Sequence, residues 1–168
     1  MRLIGVFSLA TIIALALQTT VTRLLPFDML MPNLALILAV NLGLRYHRAA
    51  AALMAFGIGY ATDTFSGGQL GLNALLFTLV FILTYGLARS LFSSTSVIGV
   101  IAVFAAVIFI DLGNALAAAD WARSESLGLA MPSILIQAAI TALCAPSVFA
   151  TMAGASRLVG LRQRGSRE

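Results

Sequence analysis

The chain contains no lysine, one cysteine and one histidine, and each scarcity excludes a class of function. Cys144 alone cannot form an intramolecular disulfide or a multi-cysteine metal site. His47 alone leaves a conventional zinc site without enough ligands. The basic residues are all arginine and lie scattered between apolar runs, whereas a nucleic-acid-binding face needs clustered basic residues with interleaved aromatic side chains. The sequence therefore predicts no metal, no cofactor and no nucleic acid partner.

Charge of either sign is also scarce, and apolar residues take its place. Of 168 residues, 61% are hydrophobic and only 10% are charged, and the mean hydropathy is +1.03. Soluble domains contain roughly 45 to 50% apolar residues. The composition predicts an integral membrane protein, and the length allows one compact bundle of spans without a separate soluble domain.

Long uncharged runs separate the charged residues and predict an all-α bundle of six transmembrane helices. The approximate spans within a bundle over residues 1–156 are 3–22, 29–44, 46–63, 71–89, 94–117 and 130–152, and residues 157–168 form a basic tail. We expect Pro132 in the first turn of the sixth helix. Pro146 lies deeper and is expected to kink or terminate that helix.

The arginines predict the orientation of the bundle. With both termini in the cytoplasm, eight of the ten arginines face the cytoplasm, and only Arg23 and Arg123 face outward. This distribution follows the positive-inside rule for membrane proteins. The orientation places the end of the third span, near Asp63, at the outward side.

Asp63 opens a polar, glycine-rich segment inside otherwise hydrophobic sequence. The fifteen residues from Arg48 to Asp63 span about 22 Å of helix, less than the roughly 30 Å hydrocarbon core, so Asp63 is expected below the outer interface. A carboxylate at that depth costs roughly 2.5 to 3.5 kcal/mol unless the fold satisfies it. Ser66 or Asn73 is expected to cap the fourth helix or to bond Asp63. The predicted structural or partner-binding loop comprises Asp63, Ser66, Gly67, Gly68, Gly71 and Asn73.

Asp111 is the second intramembrane acid, one helical turn before Asn114. Two interpretations stay open for it. Asp111 and Asp63 form a polar pair in the outward half of the bundle, or Asp111 has a separate role near the interface.

The residues around Asp63 carry a family resemblance. They are Gly59, Asp63, Ser66-Gly67-Gly68, Gly71 and Asn73-Ala74-Leu75. Together with six spans and a proline-led second span, this block resembles the rod shape-determining protein MreD family. The second span of relatives often begins Pro-Asp, whereas here Asn33 follows Pro32, so a polar cap is retained without its charge.

The resemblance implies a bundle similar to the substrate-binding membrane subunits of energy-coupling-factor transporters. It also implies a non-enzymatic scaffold in the bacterial inner membrane that binds an MreC-type single-span protein. Through that partner it would serve the wall-elongation machinery of RodA, a class B penicillin-binding protein and MreB, which supports peptidoglycan synthesis along the side wall. The resemblance transfers no catalytic residue.

Two other functions compete with the scaffold. A solute-binding subunit of a transporter needs a cavity into which polar side chains point, and the candidates are Asp63, Ser66, Asn73 and Asp111. A serine hydrolase is disfavoured, because Ser66 belongs near the outer face and His47 at the inner end of the same span. Asp63 and Asp111 lack the glycine-rich sequence of aspartyl proteases, and their spacing alone leaves a dyad open. Small residues of the third helix are expected to pack inside the bundle or to dock a partner span; they are Ala49, Ala52, Ala55 and Gly59.

Overall fold

The computed structural model describes residues 2–24, 32–46, 49–66, 69–90, 96–118 and 124–158, which form six helices. The helices are α1 (Arg2–Leu24), α2 (Leu34–Arg45), α3 (Ala49–Ser66), α4 (Leu72–Ser90), α5 (Ser96–Ala118) and α6 (Ser124–Leu158). Within these ranges there is no strand. The predicted all-α fold of six helices is confirmed.

Three of the helices contain segments long and apolar enough to cross a membrane. The segments are Leu72–Arg89 in α4, Val97–Ala117 in α5 and Met131–Ala155 in α6. Shorter apolar stretches occupy α1 and α2. Large exposed side chains such as Leu53, Leu83 and Leu143 cover the outside of the bundle, as expected where lipid rather than water is the solvent.

Helix α2 is the centre of the bundle. It contacts each of the other five helices, and all nine residues from Ala35 to Gly43 are buried. Its 12 residues rise only about 18 Å along the axis. A short, apolar helix in this position forms the core around which the longer helices pack.

Asn33 caps the start of α2. Its Oδ1 accepts a hydrogen bond from the backbone N–H of Leu36 at 3.1 Å, which satisfies one of the free amides of the first turn. The backbone N–H of Asn33 donates to Oγ1 of Thr141 on α6 at 3.2 Å. The predicted uncharged polar cap is confirmed, and it also connects α2 to α6.

Helix α6 runs through both of its prolines. Pro132 and Pro146 both lie inside the 35-residue helix. The expectation that Pro132 lies in the first turn was wrong. Of the two outcomes expected at Pro146, termination is contradicted and a kink stays a prediction. Each proline removes one N–H, but the helix continues past both positions, and neighbouring helices stabilise a proline-containing span in a membrane bundle. Residues 159–168 of the predicted basic tail lie outside the described residues.

Most buried hydroxyl groups in the bundle bond within their own helix. Oγ1 of Thr11 donates to the carbonyl of Phe7 at 2.7 Å, and Oγ1 of Thr84 donates to that of Val80 at 2.7 Å. Asn41 of α2 differs. It is 1% exposed, and neither Nδ2 nor Oδ1 of its amide has a hydrogen-bond partner among the described residues.

Candidate functional site

The carboxylate of Asp63 is the centre of the polar junction between α3 and α4. Asp63 lies in the last turn of α3 and is completely buried. Its Oδ2 accepts from the backbone N–H groups of Gly71 at 2.9 Å and Ala74 at 3.2 Å. Its Oδ1 accepts from Asn73 twice, from the backbone N–H at 3.2 Å and from Nδ2 at 2.8 Å. Since a carboxylate offers about four acceptor positions, these four donors satisfy it fully.

These bonds make Asp63 the N-terminal cap of a helix to which it does not belong. The first amides of a helix have no partner inside that helix. Here Asp63 accepts from those of Asn73 and Ala74, while Leu72 N–H donates to the Gln69 carbonyl at 3.2 Å. The partial positive charge at a helix start also favours a nearby carboxylate. The junction therefore satisfies the buried acid and the start of α4 with the same hydrogen bonds.

Two glycines make this geometry possible. Gly71 has φ +94°, a left-handed conformation that other residues rarely adopt, and it turns the chain into α4. Gly59 lies one turn before Asp63 on the same face of α3. A Cβ atom on Gly59 would lie 2.7 Å from Cα and 2.8 Å from N of Ala74. Gly59 thus lets the backbone of α4 approach closely enough for its amides to reach Asp63.

Two further contacts extend the junction to α5. Nδ2 of Asn114 donates to Oδ1 of Asn73 at 3.0 Å, so Asn73 links Asp63 to Asn114. Nε2 of Gln69 donates to the carbonyl of Ala117 at 3.4 Å. The loop before α4 is therefore connected to the C-terminal end of α5 as well as to α3.

The predicted loop residues separate into those that build the junction and those that do not. Asn73 bonds Asp63, as expected for one of its two proposed partners. Ser66 is exposed at the end of α3, and none of the bonds to Asp63 comes from it. Gly67 and Gly68 lie outside the described residues. Gln69 was missed, because a glutamine in a glycine-rich turn gives no signal of its partner.

Asp111 is close to this network along α5 but does not bond Asp63. It is half-buried one turn before Asn114, and its Oδ2 is buried without a hydrogen-bond partner in the described part of the chain. The hydrogen bonds from Asp63 lead through Asn73 to Asn114, and none of the described bonds goes on from Asn114 to Asp111. The direct pairing of Asp63 with Asp111 stays a prediction without a hydrogen bond to support it.

The small residues of α3 face mainly into the bundle. Of the four predicted residues, Ala55 and Gly59 are buried, Ala52 is half-buried against the core and Ala49 is exposed. Across the described ranges, no three histidine, cysteine, aspartate or glutamate residues are grouped as a metal site. The chemistry at the junction is hydrogen bonding between parts of the same chain.

The fold and the junction define a class: a multi-span helical membrane protein in which a buried acid fastens two successive helices. Within that class the chain belongs to the MreD family, because the family model described as rod shape-determining protein MreD matches residues 1–153. The predicted family is confirmed, and with it a role in determining rod shape. Neither the curated proteins nor the solved structures gave a match.

Proposed function

We propose that the chain is a non-enzymatic scaffold of the wall-elongation complex in the bacterial inner membrane, with both termini cytoplasmic. It binds an MreC-type single-span protein and, through that protein, serves RodA, a class B penicillin-binding protein and MreB. Its contribution to peptidoglycan synthesis along the side wall is to hold these partners in place.

The observation that carries this proposal is the complete internal use of Asp63. A general base or a ligand-binding carboxylate needs a lone pair directed at the reactant. Both oxygens of Asp63 instead accept hydrogen bonds from Gly71, Asn73 and Ala74 of the same chain. Asp63 fixes the position of α3 relative to α4. A scaffold needs such fixed helices, because they present a constant surface to its partners.

The same observation disfavours a solute site at this junction. A solute site needs polar groups that converge on the ligand and are free to bind it. The Asn73 side chain donates to Asp63 and accepts from Asn114, so the best-placed polar groups already bond one another. Partner recognition by the outer surfaces of the helices requires no such free groups.

Partner binding is tested with the purified chain in lipid nanodiscs and a labelled MreC-type protein. We expect saturable binding that an unrelated single-span protein does not compete away. The matched variants are Asp63→Leu, which removes the cap of α4, and Asp28→Leu, which removes an acid outside the described residues. Folded wild-type chain that does not bind the MreC-type protein would contradict the scaffold.

The proposed orientation is tested by labelling single cysteines in intact cells. In a Cys144→Ala background, Gly165→Cys reports on the basic tail and Ala119→Cys on the connection between α5 and α6. A membrane-impermeant maleimide is expected to label Ala119→Cys in intact cells and Gly165→Cys only after lysis. The reverse pattern would overturn the orientation.

A further inference from the structure

Asp111 is an acid in a membrane span for which the described part of this chain supplies no hydrogen-bond partner. No described donor bonds either carboxyl oxygen, and Oδ2 is shielded by the surrounding protein. Carboxyl groups inside membrane spans are costly, and they usually pair with another polar group. Asp63 illustrates the usual solution, with four donors on one carboxylate. Asp111 is an exception, so the source of a hydrogen-bond donor has to be sought in another molecule.

Two side-chain amides at this end of α5 already donate elsewhere. Nδ2 of Asn114 donates to Asn73, and Nε2 of Gln69 donates to the carbonyl of Ala117. Arg89 is in the last turn of α4, sixteen residues from Asn73 and therefore about 24 Å along that helix from the junction. None of these three side chains therefore serves as a donor to Asp111.

Asp111 lies on one edge of α5. The half-buried residues Phe104, Ile108, Asp111 and Ala115 recur at spacings of three and four, so they share one side of the helix. Gly113 lies about 160° around the helix and packs against Leu76 of α4. The Asp111 edge therefore lies on the side of α5 opposite the contact with Leu76.

This edge borders the surface that the bundle presents to lipid. Leu112 and Leu116, within the next two turns of α5, are exposed. Asp111 is seven residues before the end of α5 at Ala118, which corresponds to a depth of about 10 Å. An approaching helix can therefore reach the rim of this site without entering the core of the bundle.

We propose that Asp111 marks the docking site of a partner's transmembrane helix, which supplies a side-chain hydrogen-bond donor about 10 Å below its outward end. This inference rests on the proposed scaffold function. The donor complements the unpaired carboxyl oxygens, and hydrocarbon surroundings require the partner's backbone bonds to be satisfied internally, as in a helix. Rotation of the carboxyl group presents either oxygen to the donor.

The test compares binding with stability in the same variants. For Asp111→Leu we expect the affinity for the MreC-type protein in nanodiscs to fall about 3- to 20-fold, the range of an interhelical hydrogen bond in a membrane. The thermal midpoint of the isolated chain is expected not to fall, since no internal bond is lost. Asp111→Asn keeps an acceptor oxygen and should bind more tightly than Asp111→Leu. Leu83→Ala, on the lipid-exposed surface of α4, is the control with wild-type affinity.

A second measurement locates the donor. Each polar residue in the partner's span is replaced by leucine in turn. One replacement at the expected depth should weaken binding to the wild-type chain but should not further weaken binding to the Asp111→Leu variant. Additive losses at every position would overturn the inference. The inference would also be overturned if the Asp111→Leu variant bound with wild-type affinity or if the thermal midpoint of this variant fell in the absence of partner. An effect of the substitution on self-association only would overturn it too. Absence of binding by the wild-type chain would instead overturn the scaffold function.

Discussion

Asp63 and Asn41 are buried to the same extent but differ in how the fold satisfies them. Asp63 is 0% exposed and Asn41 is 1% exposed. Asp63 accepts four hydrogen bonds, whereas the amide of Asn41 has no partner among the described residues. Burial alone therefore does not tell whether a polar residue stabilises a membrane bundle.

The difference follows from where each residue lies on its helix. Asp63 is close to a helix start, where backbone amides lack internal partners and can donate to a neighbour. Asn41 lies inside α2, where the backbone groups around it already bond one another. A threonine at such a position can donate back to a carbonyl of its own helix, as Thr84 does. The side-chain amide of Asn41 makes no equivalent hydrogen bond among the described residues.

The largest expected effect is the loss of the Asp63 cap. Asp63→Leu leaves backbone amides at the start of α4 buried without acceptors, so we expect the free energy of unfolding to fall by about 3 to 5 kcal/mol. The free energy of unfolding of Asp63→Asn should lie between those of the wild-type chain and of Asp63→Leu, because one acceptor oxygen remains. Unfolding in mixed detergent micelles, followed by circular dichroism, measures both. Equal stability of Asp63→Leu and Asp28→Leu would refute the role of the cap.

The next effect concerns the close approach of α3 and α4. Gly59→Ala places a methyl group against the backbone of Ala74, and we expect it to lower the free energy of unfolding by about 1 to 3 kcal/mol. Gly57→Ala is the matched control on the same helix, because a Cβ atom there meets nothing within 4 Å. The control should be neutral or up to about 1 kcal/mol more stable. Similar losses in both variants would show that helix contact is not the cause.

Replacing Asn41 is expected to change the free energy of unfolding in the opposite direction. Asn41→Leu removes an unpaired buried amide, so we expect the free energy of unfolding to rise by about 1 to 2 kcal/mol. Asn33→Ala removes the cap of the same helix and should lower it by about 1 kcal/mol. Both are measured by the same unfolding experiment. A destabilised Asn41→Leu bundle would mean that the amide is satisfied after all.

The smallest effect tests the connection to α5. Asn114→Leu removes one hydrogen bond to Asn73, which is worth about 0.6 kcal/mol on average between membrane helices. Gln69→Ala removes a longer, exposed bond of 3.4 Å and should cost less. A larger loss for Gln69→Ala would reverse the ranking of these two contacts.

The sequence was sufficient for the features that depend on local pattern. The apolar runs predicted six helices, and the charge of Asp63 predicted that the fold must satisfy it. The donors were harder to predict, because most are backbone amides that become available only when α4 starts beside α3. The hydropathy pattern likewise did not predict that α6 continues past Pro146, since packing against neighbouring helices decides that outcome.

Asn41 was overlooked for a related reason. A single amide within a run of leucine, alanine and valine barely changes the hydropathy of α2. Only the three-dimensional arrangement, with five helices around α2, shows that no described donor or acceptor reaches it. Asp111 required the same information, because its spacing from Asn114 does not reveal that Asn114 is already bonded to Asn73.

The shortness of α2 has a consequence for biogenesis. A rise of about 18 Å cannot bridge the roughly 30 Å hydrocarbon layer, and the run from Ala35 to Gly43 has no lipid-facing side in the finished bundle. A nascent chain that ends after α3 would lack α4, α5 and α6, and α2 would meet lipid that it never contacts later. Full burial of the second segment therefore awaits synthesis of the last three helices.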